Sequence, residues 1–465
     1  MPSGSNVSVG TARSSTPREL YRRTIVSVAA FAGIAVLTWL RAALAGTIVV
    51  DAAPLSLPAR FALLAVFAQL AAIVGWQYLR VIDEVGCADL PRLVRGAVAI
   101  HVAAACALPF TSNDLFSSLA YGRMVLRGLN PYEQGPAALG THDAFAALVG
   151  SRWTTAPTDH GPLSTGLAAL AASSGSVVSA MVLYKLALLA CALGAIGLAW
   201  RACRFGDDAD ARAFALLAFN PLLAWEVSGQ AHNDGLLVLG AMAFLVLVRA
   251  DRVAWATCAM AAALQAKLAI APQFGLFVVA QWRASPLRAI AIVVGTALFG
   301  AACFAPFWFG PATLGSIASM SAGGPAWTSR SFADLAVHTA GFFSESARHH
   351  AYDLFAGAAT VVLSLAALRA ASRVRTTTEA IDDALRYFLL FDLVGPWFQP
   401  WYATWLLPCA WATRDRGLAR LVAIYTTLLL VQYGIPIDPV SNVAIDIVVI
   451  VLWRRSERRA AVSVA

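Results

Sequence analysis

Long, continuously apolar stretches separated by short polar segments dominate the chain. Runs such as LLVLGAMAFLVLV and IAIVVGTALFGAACFAPFW contain no charged residue and no alternation of apolar and polar positions with a period of two. A membrane β-barrel strand needs that alternation, whereas a transmembrane helix needs about 20 consecutive apolar residues. The pattern therefore predicts an all-α polytopic membrane protein, a helical bundle.

Twelve apolar stretches are predicted to be helical. Two of them, 253–282 and 384–413, are too long for one span and contain Pro272 and Pro400, so each is predicted to be a broken helix pair. The expected total is about 12–14 transmembrane helices. The stretches are 25–45, 61–79, 94–110, 177–200, 213–229, 235–249, 253–282, 288–308, 352–371, 384–413, 418–435 and 440–453.

Composition excludes a soluble or disordered protein. Hydrophobic residues make up 59% of the chain and charged residues only 13%, against about 25% charged residues in soluble proteins. Most of the 34 basic residues fall beside alternate span ends on one side of the membrane. Because Lys and Arg accumulate on the cytoplasmic side, we expect a multi-pass protein of the cytoplasmic (inner) membrane with both termini cytoplasmic. The net charge of +8 then reflects topology, and no nucleic-acid partner is expected.

Two long outer stretches, 111–176 and 309–351, are the expected location of an active site, because long loops in a compact domain often carry function. Residues 1–24 are predicted to form a disordered cytoplasmic tail, and 25–465 to form one membrane domain. The seven cysteines show no close pairing. Neither a disulfide framework nor a metal site is predicted.

The first outer stretch opens NDLFSSLAYGRMVLRGLNPYE. It is predicted to be an amphipathic helix lying on the outer membrane surface, capped near Asn113 and ended by Gly128. Asp114 lies in its first turn, where the helix dipole favours the ionised form. This carboxylate could accept a proton from a sugar hydroxyl, although an ordinary capping acid would explain it equally well. Tyr121 and Arg123 are candidate substrate-binding residues of the same helix, together with Asn113.

A second polar group occurs in FNPLLAWEVSGQAHNDGLL. Here Glu226 precedes a tight outer turn that is formed by His232, Asn233 and Asp234. Two carboxylates and an imidazole at one membrane face indicate a polar pocket, although helix-connecting turns favour Asn and Asp for conformational reasons alone.

Three cations are candidates for contacting an anionic substrate. Lys267 lies in an apolar run, and such a lysine either snorkels or pairs with a helix C-terminus, or contacts an anion in a cavity. Arg330 and Arg348 are expected at the outer headgroup level, where they either meet a phosphate or remain as solvated loop charges.

The segment GPWFQPWYATWLLP contains the aromatic candidates Trp401 and Tyr402, with Gln399 beside them. Such rings pack against sugars and isoprenoid chains, but aromatic residues also mark membrane interfaces in general. The sequence leaves both interpretations open.

The order of NDLFSSLAYGRMVLRGLNPYE, HGPLSTGLAAL, FNPLLAWEVSGQAHNDGLL and WFQPWYATWLLP resembles that of the polytopic C-type glycosyltransferases. It is most similar to the bacterial polyprenol-phosphate-mannose-dependent mannosyltransferases. The resemblance implies that Asp114 is the general base and that Asp234 is the outer-turn acid. It further implies that Gly128, Asn130, Pro131 and Tyr132 correspond to a Gly-x-x-Pro-Tyr-like element.

The resemblance implies an inverting transfer of a hexose, expected to be mannose, at the outer face of the cytoplasmic membrane. The partners would be a polyprenyl-phosphate sugar donor, a glycan or lipid acceptor and membrane lipids. Neither a cofactor nor a metal is expected, because Asn113, rather than a second acid, precedes Asp114. A glycan or lipid-precursor transporter is the alternative, disfavoured because the polar motifs gather on one side and no repeat of halves is visible.

Overall fold

The computed structural model describes residues 16–50, 55–204, 206–314, 331–435 and 440–464, and within these ranges it contains helices and no β-strand. The predicted all-α fold is confirmed. The helices are α1 (Pro17–Ala45), α2 (Leu57–Glu84), α3 (Leu90–Ala105), α4 (Asp114–Leu126), α5 (Pro162–Ala172), α6 (Val177–Ala202), α7 (Asp208–Ala218), α8 (Asp234–Arg249), α9 (Val253–Ala266), α10 (Ala271–Ala284), α11 (Pro286–Phe304), α12 (Phe332–Gly341), α13 (Glu345–Arg373), α14 (Thr377–Val394), α15 (Leu406–Ala412), α16 (Arg416–Gln432) and α17 (Val440–Val464).

Within the described ranges, five helices are long and apolar enough to cross a membrane: α1, α2, α6, α11 together with its final turn, and α13. The apolar windows of α11 and α13 are only 11% buried inside the protein, and Leu287 at the start of α11 is 81% exposed. Apolar faces of this extent indicate contact with lipid rather than water. The chain is therefore a polytopic membrane protein, and the total of 12–14 spans stays a prediction.

Both long apolar stretches are broken, as predicted. In the first, α9 ends before Lys267, whose backbone is extended (φ −158°, ψ 127°), and α10 resumes with Pro272 in its first turn. In the second, α14 ends at Val394, and Pro400 starts a 3₁₀ helix, Pro400–Trp405, that leads into α15. The two breaks bring a lysine and a group of aromatic side chains to the same region.

Helix α4, which carries Asp114, lies largely inside the protein and does not leave one polar face exposed. Most residues of α4 are buried, because α5 packs directly against it. A Cβ atom at Gly122 would lie 2.3 Å from the backbone carbon of Ala168, so only glycine permits this approach. The sequence predicted that only the apolar face of this helix is buried. In the structure, its polar residues Ser117, Ser118 and Tyr121 are buried as well.

Two segment boundaries also differ from prediction. Helix α1 begins at Pro17 and is capped by Thr16, whose hydroxyl accepts a hydrogen bond from the Glu19 backbone N–H. Residues 17–24 are therefore helical, and the rest of the predicted tail, 1–15, lies outside the described residues. Of the second outer stretch, 331–351 forms α12 and the start of α13, whereas 315–330 lies outside the described residues.

Candidate active site

The amino-terminal end of α4 presents Asp114 to a cavity of about 200 Å³, whose wall includes Trp153, Trp397, Gln399 and Trp401. The Asp114 backbone N–H donates to the Ser112 hydroxyl (3.0 Å), and the carboxylate side chain is 29% exposed. Partial removal from water raises the pKa of Asp114 to about 6. This carboxylate is therefore a stronger base than a solvated aspartate and remains mainly ionised at neutral pH.

His232 lies behind Asp114, between two carboxylates. Its Nδ1 atom is 3.5 Å from Asp114 Oδ2, and its Nε2 atom is 3.3 Å from Glu226 Oε2. The indole of Trp401 stacks on the imidazole with ring centroids 4.0 Å apart, which fixes the plane of the ring. Burial lowers the pKa of His232 to about 3, so the imidazole is neutral at physiological pH.

The turn that carries His232 has an uncommon backbone. A π-helix, Ala224–Gly229, contains Glu226, and Ala231 follows it with φ 60°, a conformation that costs an L-residue about 1–2 kcal/mol. The His232 backbone N–H donates to the Glu226 carbonyl (3.0 Å), and the Asn233 carbonyl accepts from the first turn of α8 (3.0 Å). Strain of this kind is typical of functional sites, and it turns the imidazole towards Asp114.

Asp234, the next acid along the chain, forms a buried ion pair. Its Oδ1 atom lies 3.2 Å from Lys267 Nζ and accepts a hydrogen bond from Trp405 Nε1 at 2.5 Å. Lys267 also lies over the rings of Tyr402 and Trp405, 5.0 and 5.3 Å from their centroids. Lys267 therefore has an acidic partner that is 33 positions distant in the sequence, and neither snorkelling nor an open anion contact describes it.

The loop before α5 holds the helix break that positions Lys267. The break frees the Ala266 carbonyl, which accepts hydrogen bonds from the Gly161 backbone N–H (3.1 Å) and the Ser164 hydroxyl (2.9 Å). A Cβ atom at Gly161 would lie 2.1 Å from the Gln265 carbonyl oxygen. This contact explains why glycine stands before Pro162, the first residue of α5.

Sequence analysis missed Gln230, which fixes the segment leading to Asp114. Its buried amide oxygen accepts from the backbone N–H groups of Phe110 (2.8 Å) and Thr111 (3.1 Å), and its amide nitrogen donates to the Leu108 carbonyl (3.3 Å). A buried glutamine inside an apolar stretch needs hydrogen-bond partners. Its position in the sequence could therefore have indicated a structural role for Gln230.

His160 was also missed as a site residue. Its ring meets Tyr121 edge to face at 6.1 Å between centroids, and its Nε2 atom is 3.4 Å from Asp159. Burial lowers the pKa of His160, which favours its neutral form.

The aromatic segment contributes to the site as well as to packing. Trp401 and Gln399 line the cavity, whereas the Tyr402 hydroxyl accepts from Trp397 Nε1 (2.9 Å) and its ring stacks on Trp405 at 4.4 Å. Tyr402 therefore supports the Lys267–Asp234 pair rather than the cavity surface.

Several predicted substrate-binding residues have structural partners. Asn113 lines the cavity and accepts from the Val50 N–H (2.9 Å), and the Tyr121 hydroxyl donates to the Ala156 carbonyl (2.9 Å). The other three form contacts further along the loop: Arg123 pairs with Asp143 at 3.3 Å, Asn130 accepts from the Tyr132 N–H at 3.1 Å, and the Tyr132 hydroxyl meets Thr165 at 3.1 Å.

The two candidate outer arginines are not brought to the cavity by the described structure. Arg348 lies in the first turn of α13 and pairs with Glu345 at 3.4 Å, and Arg330 lies outside the described residues. Within the described ranges, no group of three or more His, Cys, Asp and Glu side chains is arranged to hold a metal ion. His232 illustrates the reason, because its two carboxylate neighbours lie at opposite ring nitrogens.

Comparison with known proteins identifies relatives of the chain. Residues 21–284 match the family model described as alpha-(1->6)-mannopyranosyltransferase, N-terminal domain, a range that contains Asp114, Glu226, His232, Asp234 and Lys267. No solved structure matches the chain.

Four relatives carry that mannosyltransferase name, one of them as a probable assignment. Alpha-(1->6)-mannopyranosyltransferase B of Corynebacterium glutamicum is 28% identical over 178 residues, 36% of this chain and 29% of the relative. Alpha-(1->6)-mannopyranosyltransferase A of the same species is 30% identical over 206 residues, 42% of this chain and 40% of the relative. A Mycobacterium tuberculosis relative is 33% identical over 138 residues, 28% of this chain and 22% of the relative. The matches thus span less than half of each relative. Because the family model covers more than half of this chain, the chain belongs to the alpha-(1->6)-mannopyranosyltransferase family.

Proposed function

We propose that the chain is a membrane glycosyltransferase that moves mannose from a polyprenyl-phosphate donor to a glycan or lipid acceptor. The observation that carries this proposal is Asp114, a partly exposed carboxylate at a helix N-terminus that faces a small cavity lined by tryptophans. Sugar rings pack on aromatic faces, and a carboxylate in that position is suited to accept the proton of a hydroxyl nucleophile.

In the proposed reaction, the acceptor hydroxyl gives its proton to Asp114 as its oxygen attacks the anomeric carbon. The bond from that carbon to the phosphate oxygen breaks, and its electron pair leaves with the polyprenyl phosphate, so that configuration inverts. Asp234 balances the positive charge of Lys267 in an ion pair. Lys267 would therefore stabilise the departing phosphate only through its electrostatic field. We propose that no divalent metal takes part, as the resemblance to metal-independent transferases implies.

The cavity volume of about 200 Å³ is below the range of roughly 300–1,000 Å³ for drug-sized ligands. It suits a monosaccharide unit better than a whole glycan. We propose that the donor's mannosyl group enters the cavity while the isoprenoid chain stays in the surrounding lipid.

The activity test uses purified protein in lipid nanodiscs with polyprenyl-phosphate mannose and an oligomannoside acceptor. We expect acceptor-dependent loss of donor, no turnover with nucleotide-mannose, and the same initial rate in chelator as with added Mg²⁺ or Mn²⁺. Loss of activity in chelator and its recovery with metal would refute the metal-free mechanism. Movement of the labelled lipid donor from one leaflet of a liposome membrane to the other, without its consumption, would favour the transporter alternative.

We also propose that the site faces outward from the cytoplasmic membrane and that both termini are cytoplasmic, on the strength of the arginine distribution. Single cysteines at positions 140 and 340, in a cysteine-depleted background, should react with a membrane-impermeant thiol reagent in intact cells. Cysteines at 208 and 378 should not react. Reversed labelling would overturn the orientation.

A further inference from the structure

The groups behind Asp114 form a line that runs from the cavity into the protein. Side-chain exposure falls from 29% at Asp114 to 2% at His232 and 0% at Glu226. Only Asp114 can therefore meet a substrate, and the other two lie one and two contacts behind it. The mechanism above leaves both of them unused.

The imidazole of His232 lies between Asp114 and Glu226, with one ring nitrogen facing each carboxylate. Its Nδ1 atom faces Asp114 Oδ2 at 3.5 Å, its Nε2 atom faces Glu226 Oε2 at 3.3 Å, and the stacked Trp401 ring prevents rotation out of that line. A neutral imidazole accepts a proton at one nitrogen while it donates from the other. Such contacts are often long in the free enzyme and shorten when substrate binds.

Burial, more than the surrounding charges, keeps the His232 imidazole neutral. Lys267 and Asp234 form one ion pair near the imidazole, and the nearby Asp159 and His160 lie 3.4 Å apart. Burial holds the pKa of His232 near 3, so a free imidazolium would be costly. A proton crossing the ring is therefore expected to enter at one nitrogen as another leaves from the opposite nitrogen.

We propose that His232 passes the proton taken up by Asp114 on to Glu226, an inference that rests on the proposed glycosyl transfer. The acceptor proton bonds to Asp114 as the new glycosidic bond forms and the phosphate departs. Asp114 then protonates His232 Nδ1 while the proton on His232 Nε2 moves to Glu226. Asp114 returns to its anionic form, His232 remains neutral in its other tautomer, and the proton returns to solvent along the same path when product leaves.

The relay is tested by steady-state rates at saturating substrate in mixtures of H₂O and D₂O, with polyprenyl-phosphate mannose as the donor. For the wild type, we expect a curved plot of rate against deuterium fraction, because two protons move together in the relay step that follows glycosyl transfer and completes the turnover. Glu226→Gln should give a linear plot and a rate about 10²-fold lower, at the lower end of the contribution of acid–base groups, with KM changed less than twofold. Glu226→Asp, which restores a carboxyl group, should recover part of the curvature.

His101→Asn is the matched control, because His101 is another buried histidine that contacts the same turn, through Ser228 at 2.7 Å. It should leave the rate and the curvature unchanged. A linear wild-type plot, which needs no variant, would overturn the relay, as would a curved plot and an unchanged rate for Glu226→Gln. If Asp114→Asn itself retains full activity, the proposed general base fails; if only the Glu226 results fail, the relay alone is wrong.

Discussion

The two acids of the site, Asp114 and Asp234, occupy equivalent local positions but opposite environments. Each lies in the first turn of a helix, α4 and α8 respectively. Asp234 is fully buried and contacts Lys267 and Trp405, whereas Asp114 is partly exposed to the cavity and lies 3.5 Å from a neutral His232 rather than beside a cation. Position in a motif therefore does not assign a role. An acid whose oxygens are already bound by a lysine and an indole organises the site, whereas an accessible acid can take a proton.

The largest effect is expected at Asp114. Asp114→Asn keeps the shape of the side chain but removes its basicity, so the transfer rate should fall by about 10²–10⁴-fold, with little change in the midpoint of thermal unfolding. Initial rates with polyprenyl-phosphate mannose measure this. Asp143→Asn, which alters a loop acid paired with Arg123, is the control. Near-normal turnover of Asp114→Asn would leave the acid as a helix cap only.

Removing the partner of Asp234 should act mainly on stability. Lys267→Met leaves a buried carboxylate uncompensated, which is expected to lower the free energy of unfolding by about 3–5 kcal/mol. The double variant Lys267→Met, Asp234→Asn should recover most of this loss, because no buried charge remains. Thermal unfolding in detergent compares the two. Equal losses in both variants would show that the pair does not have the structural role that distinguishes Asp234 from Asp114.

The raised pKa of Asp114 predicts a distinctive pH dependence of the transfer rate. Asp114 must be ionised to accept a proton and its pKa is raised to about 6, so kcat/KM should be constant above that pH and fall about tenfold per unit below it. A solvated aspartate, with a pKa of 3.8, would keep full activity to much lower pH. Initial rates between about pH 4.5 and 8 decide this. A rate that stays nearly constant down to about pH 4.5 would show that Asp114 is not held in a partly desolvated site.

Much of the fold follows from local sequence, but the partners in the site do not. Apolar runs and prolines predicted the helices and both breaks, because these depend on neighbouring residues. The burial of α4 depends on the approach of Gly122 to Ala168, and the Lys267–Asp234 pair joins residues 33 positions apart. Neither leaves a local signal. The sequence indicated His232 as a polar residue in a turn. Its position between two carboxylates depends on the π-helix and on the left-handed backbone of Ala231, which the sequence pattern did not predict.

The smallest effect is expected at Arg348, which sequence analysis grouped with Lys267 as a cation for the departing phosphate. Its side chain is 32% exposed and pairs with an exposed Glu345 at 3.4 Å, and exposed pairs contribute only about 0–1 kcal/mol. Arg348→Ala should therefore change the transfer rate by less than about twofold and the unfolding free energy by less than about 0.5 kcal/mol. Rates for Arg348→Ala and Arg330→Ala, measured together over a range of donor concentrations, separate the contributions of the two arginines. A tenfold loss for Arg348→Ala, confined to KM for the donor, would contradict the free structure and require α12 and α13 to approach the cavity when the lipid phosphate binds.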